Sequence, residues 1–376
     1  MPPAASISLR RMRSARAGLL TLAAVLGAAG SSPCAASAAT VRYEQRAGDE
    51  RIHFDAARGE RNAVTVASQR VALPTASVRV TFRAATARLS AVGPGCSSDS
   101  TGAASCIFTR AGLADYVVVR TGDGDDRVDA TSANDAFVEL EGGHGADLLT
   151  APATTAMIAK LIGDARGARG SSAGGNDILV GGSGINVFDG GPGADRIDGG
   201  GDRDQLTYTN EVRPVRVDLG RGRTRTATGT DVLRSVETVD GGQADDTLIG
   251  TPRSDILFGN PGHDRIEGRG GDDHLHGLSG YERIGRFRRE DDTIYGGDGD
   301  DVITGSYGAD RLFGGRGADS LRGGAGRGDV LSGGPGVDRL NSADGHGRER
   351  VNCGQGRDRA RANRADRVRA CERVRF

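Results

Sequence analysis

Residues 296–322 read GGDGDDVIT, GSYGADRLF and GGRGADSLR when cut into nines. No other feature constrains the fold as tightly. A nine-residue unit has too little apolar surface to fold alone and must stack on its neighbours. With short insertions and two longer interruptions, nineteen units can be laid out from Thr121 to Asn341. Sixteen of their sixth positions are aspartate: Asp126, Asp135, Asp147, Asp177, Asp195, Asp204, Asp246, Asp255, Asp264, Asp273, Asp292, Asp301, Asp310, Asp319, Asp329 and Asp338. Ala156, Asn186 and Glu282 are the exceptions. Two residues on, each unit has a large apolar residue, among them Val128, Phe137, Leu149, Ile158, Leu179, Phe188, Ile284, Ile303 and Leu340. Composition alone, with 61 glycines and no tryptophan, would also suit a disordered polar chain. The period excludes that reading, and 4% aromatic residues argue against one large core.

Each position has a physical reason. Paired glycines let the backbone take positive φ and turn sharply. The last three residues, such as Val302-Ile303-Thr304, alternate outward, inward, outward as a short strand. Two units make one eighteen-residue coil with a strand on each side, and stacked coils bury the apolar stripe. Stacked strands lie ~4.8 Å apart and calcium–oxygen bonds are ~2.3–2.6 Å long, so an ion between two stacked turns would meet oxygens of both layers. The sixth-position aspartates offer carboxylates, and the glycine turn exposes carbonyls. Calcium, which takes six to eight oxygens, is the cation this donor set suits.

GGDGDDVIT, GGPGADRID, GGRGADSLR, GGHGADLLT and GGPGVDRLN resemble the GG-x-G-x-D-x-U-x nonapeptide of the RTX, or haemolysin-type, calcium-binding repeat proteins. The resemblance covers roughly 120–341. It implies an all-β chain: a parallel, right-handed β-roll with several Ca²⁺ ions between turns two units apart. Ligands would be the sixth-position aspartates above except Asp135, whose unit ATSANDAFV lacks glycine. The implied spacing puts Asp246 in a row with Asp264, Asp255 with Asp273, Asp301 with Asp319, and Asp177 with Asp195. Asp310 with Asp329 and Asp319 with Asp338 are stretched by one residue. GTPRSDILF, with Pro252 and Arg253 in its turn, should bind poorly. Arginine follows the aspartate at Arg196, Arg265, Arg311 and Arg339, where it would either compete for the carboxylate or neutralise the roll; outward-pointing side chains favour neutralisation.

The flanks read differently. Arg10, Arg11, Arg13 and Arg16, an apolar run from Gly18 to Ala29, and Ala36-Ser37-Ala38 give the order of a secretory signal peptide over 1–38, with cleavage near Ala38. The run is shorter than the ~20 residues of a spanning helix, so no transmembrane segment is expected in a secreted mature chain. Removal of Cys34 leaves Cys96, Cys106, Cys353 and Cys371, an even number that favours disulfides in an exported protein. The local pairs 96–106 and 353–371 are the simplest of three connectivities. Residues 39–120 alternate as a small β-rich cap, as in Val78-Arg79-Val80-Thr81-Phe82. The interruption 208–240 reads as a hairpin protruding from the roll. Residues 342–376 have two readings: a disulfide-closed cap over the last coil, or attachment to an anionic cell-surface component. From 345 onward, ten arginines face four acidic residues.

No catalytic constellation stands out. Gly170-Ser171-Ser172-Ala173-Gly174 fits G-x-S-x-G without its strand–turn–helix setting, and His274 and His276 fall on outward positions. A formal net charge of −1 gives no field for nucleic acid. The expectation is a non-enzymatic secreted module, structural or adhesive, that folds in extracellular calcium. The alternative is a secreted hydrolase or carbohydrate-modifying enzyme with the roll as accessory.

Overall fold

The computed structural model describes residues 39–46, 49–56, 61–72, 76–85, 89–108, 115–134, 136–153, 158–164, 174–278, 290–345 and 347–376. The expected signal peptide, with Cys34, lies outside the described residues, as do Asp135, Ala156, Glu282, Ile284 and most of the G-x-S-x-G stretch. Among the described residues the regular structure is strand, apart from one 3-10 turn at Leu219–Arg221.

Glycine-rich turns are too short for helices, so the chain passes back and forth between two long sheets. The first runs through sixteen strands, ending with His274–His276, Val302–Tyr307, Ser320–Ala325, Arg339–Asn341, Arg359–Arg361 and Arg373–Arg375. The second includes Thr247–Ile249, Arg265–Gly270, Thr293–Asp298, Arg311–Arg316, Val330–Gly336, Arg350–Gly356 and Arg367–Arg369. These strands pair in parallel with their neighbours and both sheets are mostly parallel, which is consistent with a β-roll. Register stacks the eighth residues into two columns: Leu248, Ile266, Ile294, Leu312 and Leu331 in one sheet, and Leu257, Leu275, Ile303, Leu321 and Leu340 in the other. All ten are buried. At roughly 1.5–3 kcal/mol for each fully buried aliphatic side chain, these columns are the main apolar contribution to the fold.

Two expectations need correction. In the first sheet the inward column over 116–188 is Val119, Leu140, Leu161 and Phe188, while in the second the expected Val128 and Leu149 are buried. Phe137 is instead half-buried against Tyr116, and Ile158 is 46% exposed. Those units are poor in glycine, so their period admits more than one frame, and burial selects the other. The interruption 208–240 does contain a hairpin, Arg216–Asp218 with Arg223–Arg225, but it lies within the second sheet. Its outer strand pairs in parallel with Thr247–Ile249. Val215 and Val217 are buried by that pairing, so the hairpin has an apolar face that a protrusion would leave wet.

The N-terminal strands combine an antiparallel cover with the first coil. Asp49–Asp55 pairs in parallel with Asp115–Asp123, and Ala63–Ala72 with Arg127–Ser132. The expected disulfides, Cys96–Cys106 and Cys353–Cys371, are both present. The second ties the strand Arg350–Gly356 to the last coil, across a sequence separation of 18. Replacing both of its cysteines with serine should cost about 3 kcal/mol on loop-closure grounds. Hydrogen exchange would show this as lost protection over 350–375, with 293–325 unchanged.

Candidate metal centre

The unit 296–304 shows the local geometry. Gly297 has φ +124° and Gly299 φ +137°, conformations that side chains rarely adopt. Gly296 has no such φ and is needed for space. A Cβ there would lie 2.1 Å from Oδ2 of Asp301 and 2.4 Å from the carbonyl oxygen of Gly314 in the next coil. Asp301 therefore folds back over the first glycine of its own unit. Its Oδ1 accepts the backbone N–H of Asp273, at 2.9 Å, in the preceding coil. Its own N–H donates to Oδ1 of Asp319, also at 2.9 Å, in the following one. Oδ2 is buried with no hydrogen-bond partner.

Repetition turns this bond into two ladders, one at each turn. One links Asp126, Asp147, Asp177, Asp195 and Asp231, then resumes through Asp246, Asp264, Asp292, Asp310 and Asp329. The other links Asn186, Asp204 and Glu237, then Asp255, Asp273, Asp301, Asp319, Asp338, Asp358 and Glu372. All six pairs expected from the spacing are neighbours here. Each of the fifteen candidate aspartates is buried, at 3% exposure or less. Eleven of them present a buried, unpartnered Oδ2: Asp126, Asp147, Asp177, Asp195, Asp204, Asp264, Asp273, Asp301, Asp310, Asp319 and Asp338.

The family model of the RTX calcium-binding nonapeptide repeat (4 copies) matches residues 172–206, 249–281, 289–321, 304–340 and 317–348. The chain carries haemolysin-type RTX repeats in several copies. No curated protein matches it.

The RTX ladders are electrostatically costly as they stand. Burial, with repulsion from neighbouring row carboxylates behind it, pushes Asp195, Asp264 and Asp273 up to about 8. The same causes raise Asp292 to about 9, and Asp147, Asp310 and Asp319 to about 7. A carboxylate in such a place needs a positive charge nearby to stay ionised. The arginines do not supply it, because Arg196, Arg265, Arg311 and Arg339 are exposed on the outer faces. Arg265 pairs with Glu267 and covers the Tyr295 ring.

Some steps of the ladder are closed by protein groups. At Asp255, in the degenerate GTPRSDILF unit, Thr251 donates its N–H at 2.6 Å and its hydroxyl at 3.0 Å to Oδ2. At Asp231, Tyr208 and Thr224 hydroxyls fill the same place at 2.9 and 2.6 Å. Sequence reasoning missed Asp231, Glu237, Asp358 and Glu372 as ladder members. It also missed Glu349, which continues the first row beside Asp329 and interacts with Asp366. None of these lies in a unit with the full glycine pattern. The available signal was the continued alternation of buried residues, as in Val351-Asn352-Cys353. Asp164, at a second-glycine position, is buried as well and accepts the Gly175 N–H at 2.8 Å.

Proposed function

We propose that this is a secreted calcium-binding repeat protein whose right-handed β-roll folds on export, and that it serves as a structural or adhesive surface module without catalytic activity. The observation that carries the reading is the series of buried, unpartnered Oδ2 atoms, most of them beside a backbone carbonyl of the next coil. A buried polar atom without a partner costs about 1–3 kcal/mol, more when charged, so a series of them points to a ligand that completes them. The donors are all oxygen, which suits a hard cation. Among the described residues no three His, Cys, Asp or Glu side chains converge on a point. Each ion would therefore draw on the sixth-position carboxylates and, for most of its shell, on turn carbonyls. Calcium would supply positive charge between coils; it has no chemical step to perform.

Export is supported by the N-terminal order of charged, apolar and small residues and by the two disulfides, which suit an oxidising compartment. Extracellular calcium sites have dissociation constants of ~10⁻⁴–10⁻³ M, so the roll would stay unfolded in a low-calcium cytosol. At tenfold excess each filled site adds ~1.4 kcal/mol, and several supply the stability of a domain.

The test is far-UV circular dichroism of residues 39–376 near neutral pH, titrated from chelator to ~10 mM calcium, a span that passes those affinities. A cooperative gain of β signal is expected, with magnesium ineffective because it needs small octahedral cages. A spectrum already folded in chelator and indifferent to calcium would refute the reading.

A further inference from the structure

The last coils carry an unbalanced charge pattern on one face. Register in the first sheet aligns the outward residues Ser320, Arg339, Arg359 and Arg373 in one column and Arg322, Asn341, Arg361 and Arg375 in the next. Extended back through the pairings of Val302 and Thr304 with His274 and His276, the two columns contain no acidic side chain over six strands. All six arginines are exposed, and among the described residues none of them forms an ion pair. The acids beside them along the turn, Asp338, Asp358 and Glu372, each accept one backbone N–H, and the second oxygens of Asp338 and Asp358 are buried and face the proposed calcium rather than the arginines. A groove of about 440 Å³ runs between the column of Arg339, Arg359 and Arg373, joined there by Arg357, and the acids Asp338, Asp358 and Glu372.

Like charges opposite one another on neighbouring strands are destabilising. Edge protection accounts for arginine on the terminal strand Arg373–Arg375, but not for arginine on the two strands behind it. We propose that this face binds a linear acidic polysaccharide, an inference that deepens the adhesive reading above and rests on it. The first column has an arginine every ~4.8 Å along the stacking direction over its last three strands, and the second sets Arg361 and Arg375 beside the last two, so the matching ligand is extended and carries anionic groups at intervals along its length. Guanidinium forks suit carboxylate and sulfate groups bidentately. The two columns carry no aromatic ring from Val302 onward, so single-stranded nucleic acid would find no stacking platform. They also lack the row of apolar anchors that a membrane-surface element buries.

The experiment uses the calcium-loaded mature chain, its fold checked by circular dichroism, against immobilised dextran sulfate with uncharged dextran as blank. R339Q/R359Q/R373Q should weaken binding at least tenfold and flatten the salt dependence by about 2 log units per log unit, three lost contacts at roughly 0.7 each. Its melting temperature should not fall, since like-charge neighbours are removed. R339K/R359K/R373K, which keeps the charge and loses the forks, should keep most of the salt slope with a several-fold weaker affinity. The control R196Q/R203Q/R234Q, the same charge removed elsewhere on the roll, should change affinity less than about twofold, given the local character of screened contacts. Equal losses in the two glutamine triples would overturn the assignment. So would tighter binding, through the same arginines, to poly(dT) or to phosphatidylserine vesicles. A calcium-loaded chain that ignores dextran sulfate refutes this surface while leaving the calcium roll standing; a chain that takes up no calcium fails at the earlier step.

Discussion

Stripped of divalent cations, the mature chain should hold β structure near pH 5 and lose it as the pH is raised to about 8, the reverse of ordinary acid denaturation. Burial holds Asp195 and Asp264 at about 8 and Asp292 at about 9 in the folded chain. An unfolded aspartate titrates near 3.9. Between those limits the folded state binds more protons than the unfolded state, so stability falls as pH rises through the window. At neutral pH each such group costs about 4 kcal/mol, the roughly 3 pH units between 3.9 and 7 counted at 1.36 kcal/mol each. Three of them are comparable to the 5–15 kcal/mol that a typical domain has in total. Calcium reverses the trend, because binding needs deprotonated carboxylates and strengthens as they ionise. Melts followed by circular dichroism from pH 5 to 9, with EDTA and with calcium, should therefore give slopes of opposite sign. A metal-free melting temperature that climbs steadily with pH would show that the ladders are not held as buried carboxyls.

The parts of this molecule legible in its sequence are those set by local repetition. From Leu179 to Leu275 and from Ile294 to Leu340 the period placed the apolar residue inside, because strand alternation leaves no other choice once glycines fix the turns; at Phe137 and Ile158, where glycine is sparse, it did not. It also paired the aspartates correctly, since eighteen residues return the chain to the same turn. Three things needed three dimensions. One is the hairpin at 216–225, whose alternation reads the same whether it protrudes or enters the sheet; only the vacant edge of Thr247–Ile249 decides. Another is the continuation of the ladders onto Glu237, Glu349 and Glu372, where a longer acid replaces aspartate in units without the motif. The third is the purpose of the first glycine, which the pattern alone attributes to turning. At Gly268, Gly277 and Gly314, as at Gly296, the space a Cβ would take is held by the carboxylate five or more residues on.

Where the motif decays, the same geometry explains what remains. Thr251 stands where a glycine is usual and donates twice to Oδ2 of Asp255, so the oxygen that is bare elsewhere in the ladder has protein partners there, while Oδ1 is left without one. Tyr208 and Thr224 donate in the same way at Asp231. On the proposed calcium reading, such an array would lose ions one at a time without breaking its stack, provided that a hydroxyl reaches the oxygen the ion would have met. The coil count and the ion count are separate quantities.

Gly296→Ala should be among the most damaging single substitutions in the roll, and Gly201→Ala among the mildest. Neither glycine has a positive φ, so the comparison isolates space from backbone conformation. At Gly296 the added methyl would lie 2.1 Å from Oδ2 of Asp301 and 2.4 Å from the Gly314 carbonyl oxygen. The carbonyl belongs to the strand Arg311–Arg316, paired on both sides, and cannot yield. Asp301 must then swing away and leave the Asp273 N–H unbonded. Overpacking costs about 1–3 kcal/mol and a buried donor without a partner costs a similar amount, so a loss of roughly 3–5 kcal/mol is expected. At Gly201 the nearest atom is Cα of Ser183 at 3.4 Å, an ordinary contact. There the reduced freedom of the unfolded chain should leave stability unchanged or raise it by about 0.5 kcal/mol. The calcium midpoint of folding should rise at least tenfold for Gly296→Ala, because the displaced carboxylate is one of the oxygens proposed to hold the ion, and should stay put for Gly201→Ala. Equal midpoints in the two variants would mean that the space above the first glycine is not where carboxylate and cation meet.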